Sequence, residues 1–295
     1  MAEEQPTDFM NIEIFDRRKC QLGEGPTSRG VGNSEITWVD ILGQQVLTRN
    51  LDTAVSGSFA TRDQVGFALP ARNSGLVLGI GAEILLLAES GGEEFVTRCD
   101  PIGEIDSSVR VRWNDAKVAP GGELFAGSMD YQGVAKVGGL FKISKSKESE
   151  ALISPVTISN GLDWNVAQTR FYYIDTPTLR VESYEYSEKG IRNPQVFIEL
   201  DGSRGLPDGM CADAEDGLWI AYFGGQRVER YSSNGKLTHT LEMPVKNPTS
   251  CTFAGTKLQS LIITTAKISD EGNPLSGMTF IVETDFVGQG TRAFN

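Results

Sequence analysis

The 295-residue sequence contains very little histidine and cysteine. His239 is its single histidine, and its four cysteines, Cys20, Cys99, Cys211 and Cys251, lie far apart with no C-x-x-C pair. Because structural zinc sites are built from such side chains at close spacing, this composition disfavours structural zinc. A chain of this size also needs no disulfide framework, so we expect buried free thiols in a reducing compartment.

Sequence motifs for common nucleophiles and for nucleotide binding are also missing. The sequence has no G-x-S-x-G, no Walker A lysine motif and no complete G-x-G-x-x-G. His239 lies in a predicted hairpin strand, where we expect it to be exposed, so a serine triad lacks a base as well. Any catalysis should therefore use carboxylates and a metal ion.

Positive charge and long apolar runs are scarce too. Lys and Arg number 27 against 39 Asp and Glu, which gives a formal net charge of −12. A field of this sign repels nucleic acid and anionic membranes, and it favours cations or neutral ligands. The longest apolar runs, such as residues 84–88, are too short to cross a bilayer, and residues 1–6 are acidic where a secretory signal would be basic. These features predict a cytoplasmic protein with neither a nucleic-acid nor a membrane partner.

What the sequence does contain is a repeat. Six short apolar or aromatic segments begin at residues 37, 76, 124, 171, 218 and 261, and most are followed by a segment that alternates polar with apolar residues. A period of 39 to 48 residues with several strands per unit is typical of propeller blades. We therefore predict an all-β fold, a six-bladed β-propeller over residues 12–295 as a single domain, preceded by a flexible tail at residues 1–11. A β-sandwich with accidental spacing is the alternative.

Local signals agree with an all-β chain. No long stretch shows the 3.6-residue spacing of an amphipathic helix. The charged residues 144–150 lack an apolar stripe and are predicted to form a solvated turn between strands. Asn234-Gly235, between two strand candidates, predicts a two-residue hairpin turn.

Three oxygen-bearing side chains recur at a similar distance before these segments. Glu24, Asn160 and Asp208 precede the segments at 37, 171 and 218 by 13, 11 and 10 residues, and each has a glycine beside it. In a radially repeated fold, equivalent positions lie at equivalent heights, so loops entering the innermost strands should bring these donors to one channel mouth. Hard oxygen ligands favour Ca²⁺ or Mg²⁺. Each Asn-Gly or Asp-Gly pair taken alone is more often a simple turn.

The third unit carries a different pair at this position. Arg112 and Asn114 combine a guanidinium with an amide, which could hold the hydroxyl and carbonyl oxygens of a substrate beside the cation. The alternative is that Arg112 pairs with Asp115 for structural reasons.

At these residues the sequence resembles the gluconolactonase family, which includes regucalcin and luciferin-regenerating enzyme. The similarity covers nearly the whole chain. Its main motifs are Leu22-Gly23-Glu24-Gly25-Pro26, Asn114-Asp115-Ala116-Lys117-Val118, Ile158-Ser159-Asn160-Gly161-Leu162-Asp163-Trp164, Pro207-Asp208-Gly209-Met210 and Pro248-Thr249-Ser250-Cys251. The resemblance implies a six-bladed propeller with one divalent metal ion, most readily Ca²⁺ with Zn²⁺, Mg²⁺ or Mn²⁺ as other candidates. It assigns Glu24, Asn160 and Asp208 as ligands, Arg112 and Asn114 as substrate contacts, and Asp208 as the catalytic base.

The resemblance further implies hydrolysis of sugar lactones such as gluconolactone. Two departures limit the transfer: Ala116 stands where glycine is usual, and residues 130–136 correspond to a variable part that borders the substrate in relatives. The particular lactone therefore does not follow from the family. Other hypotheses are a phosphotriesterase that uses the same site, a Ca²⁺-binding regulator without turnover, and an interaction scaffold on the propeller rim.

Overall fold

A computed structural model describes residues 11–72, 75–103, 108–134 and 136–295. Nearly all of the predicted tail, residues 1–10, lies outside the described residues. Within them, 24 strands form six four-stranded antiparallel sheets, and each sheet is one blade of a propeller. Each innermost strand contacts the innermost strand of the next blade, and the sixth contacts the first, which closes the ring. The predicted all-β, six-bladed propeller is confirmed.

The first three blades follow the chain from inside to outside. Blade 1 contains β2 (Gly23–Arg29), β3 (Glu35–Asp40), β4 (Gln45–Asn50) and β5 (Ser56–Ala60). Blade 2 contains β6 (Val65–Ala71), β7 (Gly75–Ile80), β8 (Glu83–Ala88) and β9 (Glu93–Arg98). Blade 3 contains β10 (Val111–Val118), β11 (Leu124–Asp130), β12 (Gly138–Ile143) and β13 (Ser149–Val156).

Blades 4 and 5 repeat this order, and blade 6 recruits the first strand of the chain. Blade 4 contains β14 (Ser159–Trp164), β15 (Arg170–Asp175), β16 (Arg180–Ser187) and β17 (Gly190–Glu199). Blade 5 contains β18 (Leu206–Ala212), β19 (Leu218–Phe223), β20 (Arg227–Tyr231) and β21 (Leu237–Glu242). Blade 6 contains β22 (Pro248–Ala254), β23 (Ser260–Thr265), β24 (Thr279–Glu283) and β1 (Ile12–Asp16). Three short 3-10 helices lie at Val31–Asn33, Thr176–Thr178 and Gly202–Arg204.

The ring is closed by hydrogen bonds between the two ends of the chain. Strand β1 pairs antiparallel with β24, so that the N-terminal strand is the outermost strand of the last blade. The sequence repeat did not predict this pairing, because β1 precedes the first repeat. Blades 6 and 1 are thereby joined through continuous backbone.

Apolar residues of neighbouring blades pack against each other. The four tryptophans, Trp38, Trp113, Trp164 and Trp219, are fully buried. Phe125 of blade 3 meets Trp164 of blade 4 edge to face, with ring centroids 5.1 Å apart. Such aromatic pairs add directional contacts to the burial of apolar area, so the blades are held at a defined mutual angle.

The structure corrects the assignment of strands within each repeat. The six apolar segments used to find the repeat are the second strands, not the innermost ones. They are the most completely buried because they lie between two other strands of their own sheet and between two neighbouring blades. The residues that precede them belong to the innermost strands themselves, rather than to loops that enter those strands.

Smaller predictions have mixed outcomes. Residues 144–148 form the predicted turn between β12 and β13. Asn234-Gly235 lies in the β20–β21 hairpin, but the connection spans residues 232–236 and is longer than two residues. His239 lies on β21 as predicted, yet it is half-buried, with its ring centroid 4.9 Å from that of Phe286, so the expected exposure was wrong. The four cysteines are buried with free thiols. In the described part of the chain no helix has the length and apolar character needed to span a membrane.

The C-terminal segment covers one end of the channel. Gly288 pairs with Asp213 of blade 5, Phe294 pairs with Ala71 of blade 2, and Gln289 Nε2 donates to the Trp164 carbonyl of blade 4 at 2.9 Å. Those partners lie at or just after the ends of innermost strands. The opposite channel end, where the innermost strands begin, is therefore the end at which a ligand enters.

Candidate functional site

Every innermost strand is interrupted by an irregularity near its beginning. The pairing register shifts between Glu24 and Thr27 in blade 1 and between Trp113 and Ala116 in blade 3. It shifts between Asn160 and Leu162 in blade 4 and between Pro207 and Met210 in blade 5. Shifts also occur between residues 65 and 67 and between residues 248 and 250. A β-bulge redirects side chains that a regular pleat would place on the sheet faces. The site residues are located at or within these bulges.

Glycines at the bulges allow the innermost strands to approach each other closely. A Cβ atom on Gly161 would lie 2.7 Å from the carbonyl oxygen of Asp208 in the next blade. A Cβ on Gly209 would lie 2.2 Å from Ser250 Oγ. The glycine beside each donor, seen in the sequence, therefore reflects close packing around the axis as well as turn geometry.

Five predicted site residues meet in one cavity at the open channel end. Glu24, Arg112, Asn114, Asn160 and Asp208 all line a cavity of about 340 Å³. All five are buried, with 5 to 8% of their surface exposed. The sequence-based prediction that separate blades deliver these side chains to a shared space agrees with this geometry.

A continuous chain of hydrogen bonds links three of these residues. Arg112 Nη1 donates to Asn114 Oδ1 at 2.6 Å, and Asn114 Nδ2 donates to Asn160 Oδ1 at 2.7 Å and to the Ser159 carbonyl at 2.9 Å. Arg112 Nη1 also donates to the Trp113 carbonyl at 2.9 Å. In the described residues Arg112 forms no ion pair with Asp115, whose carboxylate accepts instead from the Ala116 N–H at 2.8 Å. The alternative structural pairing of Arg112 with Asp115 is therefore not present.

Thr176, which sequence analysis did not single out, sets the orientation of Asn160. Thr176 Oγ1 donates to the Pro207 carbonyl at 2.8 Å, so it accepts from Asn160 Nδ2, also at 2.8 Å. The amide oxygen of Asn160 must then point the other way, toward Asn114 and the cavity. The signal was Asp175-Thr176-Pro177 at the end of β15, but only the fold brings it beside β14 and β18.

The two carboxylates of the site carry strongly perturbed pKa values. Burial, with a further contribution from the charge of Asp115, raises the pKa of Glu24 to about 8. Burial and the charge of Glu24 raise the pKa of Asp208 well above its usual value. Arg112 is the only cation among the described residues of the cavity wall, and burial lowers its pKa to about 10. Negative charge at this point is costly unless a cation or a proton balances it.

This donor set fits a hard divalent cation. The described residues contain no group of three or more His, Cys, Asp and Glu side chains that could hold a metal ion. An ion here would therefore depend on two carboxylates and an amide oxygen, supplemented by water or substrate. Such an all-oxygen, incomplete set suits Ca²⁺ or Mg²⁺ and leaves coordination positions open, whereas Zn²⁺ prefers nitrogen and sulfur.

Some residues at equivalent positions face elsewhere. Ser250 of blade 6 and Asp115 of blade 3 line a smaller, separate cavity deeper in the channel. There Lys117 Nζ lies 2.6 Å from Asp163 Oδ2. Burial raises the pKa of Asp115 to about 6. Repeat position alone thus overestimates the number of side chains that reach the site.

The remaining cavity wall is largely apolar. It includes Leu22, Met129, Ile158, Leu206, Phe223 and Ile268, and we call these six residues the apolar collar. Tyr131 and Gln132, from the segment 130–136, complete the wall beside them. Tyr131 Oη donates to Asp63 Oδ2 at 3.0 Å, and the Arg110 guanidinium lies 4.7 Å from its ring centroid. The described part of this variable segment does border the cavity.

Comparisons with known proteins give a consistent result. The chain is 32% identical to regucalcin of Danio rerio over 284 residues, which cover 92% of this chain and 94% of that protein. It is also 32% identical over 255 residues to YvrE of Bacillus subtilis, which carries the name of a candidate sugar lactone lactonase, with 84% of each chain covered. A calcium-binding protein, regucalcin from Agrobacterium tumefaciens, has a similar structure, with a TM-score of 0.88 and 22% identity over 97% of this chain and 98% of that one.

The family itself is shown by a match over most of the sequence. Residues 22–267 match the SMP-30/gluconolactonase/LRE-like region, a span that contains every residue of the site described above. We conclude that this chain belongs to the SMP-30/gluconolactonase/LRE-like family.

Proposed function

We propose that this protein is a divalent-metal-dependent lactonase that opens a lactone ring to the hydroxy acid. The observation that supports this most directly is the meeting of two buried carboxylates, an oriented amide oxygen and a buried arginine in one cavity. Names of relatives add support, because they point to sugar lactones as the first substrate class to test.

In this proposal Glu24, Asn160 and Asp208 hold the cation, most readily Ca²⁺. The bound cation would act as a Lewis acid that polarises the ring carbonyl and stabilises the negative charge that develops on its oxygen. Glu24 contributes charge. Asn160 contributes a neutral oxygen whose direction is held by Thr176 and Asn114.

Asp208 is the proposed base, since it is a buried carboxylate at the centre of the cavity. It would accept a proton from the attacking water, and a pKa raised by burial makes a carboxylate a better acceptor than one in solvent. The buried Arg112 Nε has no hydrogen-bond partner and is therefore available to a substrate oxygen. Asn114 donates both of its N–H groups to protein carbonyl oxygens, so toward substrate it can only accept.

The proposal is tested by assaying a panel of lactones with purified protein. We expect ring opening above the spontaneous rate with Ca²⁺, Mg²⁺, Mn²⁺ or Zn²⁺ supplied in turn, followed by a pH indicator because each turnover releases a proton. A phosphotriester assayed in parallel separates the two hydrolase hypotheses. Tight Ca²⁺ binding without turnover of any substrate would contradict the enzyme assignment and favour a calcium-binding regulator.

Thr176 provides a test of the proposed ion ligand Asn160. Thr176→Val removes the acceptor for Asn160 Nδ2, and we expect Ca²⁺ affinity to fall about 10- to 100-fold because the amide is no longer held. Thr176→Ser keeps the hydroxyl and should restore most of the affinity. Calorimetric Ca²⁺ titration measures both variants, and equal affinities would show that Thr176 does not position Asn160.

A further inference from the structure

We propose, on the basis of the lactonase function above, that the preferred substrates are neutral lactones with an alkyl or aryl substituent rather than polyhydroxylated sugar lactones. The inference rests on the apolar collar and on how few hydrogen-bonding groups of the cavity remain available. It narrows the substrate class that the relatives' names suggest.

The apolar collar surrounds the site rather than lying on one side of it. Leu22 comes from blade 1, Met129 from blade 3, Ile158 precedes blade 4, and Leu206 and Phe223 come from blade 5. Ile268 follows β23 of blade 6. Leu206 is 44% exposed and Phe223 is half-buried, so the collar presents apolar surface that a ligand can cover.

Most polar groups in the same wall already have partners. Thr176 uses its hydroxyl both to donate and to accept, and Tyr131 donates its hydroxyl hydrogen to Asp63. Asn114 has given both N–H groups to Ser159 and Asn160. Apart from the ion ligands, Arg112 and the exposed Gln132 are left as donors among the described lining residues. One or two donors suffice for the ring carbonyl and ring oxygen.

A sugar lactone needs more than this. Gluconolactone brings four hydroxyl groups, and each hydroxyl that is buried without a partner lowers affinity roughly 10- to 100-fold. An alkyl substituent has the opposite effect, since every methylene group buried against the collar favours binding by about fourfold. The cavity volume of about 340 Å³ leaves room for such a substituent beside a six-membered ring.

The experiment compares two six-membered lactones on the calcium-loaded full-length protein. We expect 6-pentyl-δ-valerolactone to have a kcat/KM at least about tenfold above that of δ-gluconolactone, after subtraction of the spontaneous rates. A higher kcat/KM for δ-gluconolactone, or equal values, would overturn this inference and leave the lactonase function standing.

Variants of the collar test the structural cause. Phe223→Ala should lower the ratio of the two kcat/KM values about tenfold or more, because it removes surface that the pentyl chain covers. Phe95→Ala is the matched control, since Phe95 is 53% exposed on β9 and lies outside the cavity wall. An unchanged ratio in Phe223→Ala would show that the collar does not select the substrate.

Binding of lactams separates failure of this inference from failure of the proposed function. A lactam has the same ring shape but is not hydrolysed, so its affinity reports the cavity even if no lactone turns over. We expect calorimetry to show 6-pentyl-δ-valerolactam binding at least about tenfold more tightly than gluconolactam. If no lactone is hydrolysed but this preference holds, the lactonase function falls and the assignment of the ligand class stands. Equal or reversed affinities would contradict the assignment.

Discussion

Asp208→Ala is expected to lower lactonase kcat/KM by about 10³-fold or more. The substitution removes the proposed base, a role typically worth 10²- to 10⁴-fold, and it also removes one of two charged ion ligands. Steady-state assays on the best lactone of the panel measure the loss. Asp285→Ala removes an exposed carboxylate of blade 6 and should keep full activity. Full turnover by Asp208→Ala would contradict the mechanism.

Asp208→Asn separates this role from a simple loss of stability. Burial and the charge of Glu24 oppose ionisation of Asp208, so the amide should stabilise the chelator-treated protein. We expect an increase of about 1–3 kcal/mol in its free energy of unfolding near neutral pH. Urea unfolding in the presence of a chelator measures this change. A variant that is more stable yet inactive would show that Asp208 serves function at the expense of stability.

Removal of divalent cations is expected to abolish turnover and to lower the melting temperature. A cation that binds only the folded protein stabilises it by about 2.7 kcal/mol at 100 times its dissociation constant, which corresponds to a shift of roughly 5 °C or more for a chain of this size. Thermal unfolding with chelator and with graded Ca²⁺ measures the shift, and re-addition of Ca²⁺ should restore both properties.

Glu24→Gln tests whether this shift comes from the proposed site. The substitution keeps the size of the side chain but removes one of the two ligand charges, so the Ca²⁺-dependent shift should largely disappear. Glu188→Gln changes an exposed carboxylate in the turn between β16 and β17 and should leave the shift intact. A full shift in Glu24→Gln would place the cation elsewhere in the molecule.

The fold could be predicted because propeller blades are local units. Each blade is a run of four antiparallel strands joined by short turns, so its alternating and fully apolar segments appear in order along the chain. The period of the segments beginning at residues 37 to 261 was sufficient to count six blades. The pairing of β1 with β24 was not predictable in this way, since it joins segments that are some 270 residues apart and leave no repeated signal.

The site was only partly predictable for a related reason. Repeat position correctly grouped Glu24, Asn160 and Asp208, but it also included Ser250, which lines a different cavity. Bulges decide which side chains turn toward the site, and a bulge is a property of strand pairing rather than of a single strand. Thr176 was missed because its two partners lie on β14 and β18, in different blades.

The sequence by itself determined the all-β class, the number of blades, the family and the identity of the oxygen-bearing residues near the axis. These follow from local periodicity and from which residue types are present or missing. Only the tertiary structure decided which end of the channel is open, how Arg112, Asn114 and Asn160 share their hydrogen bonds, and that apolar side chains surround the site. The physical reason is that each of these features is a contact between blades, and such contacts exist only once the ring has closed.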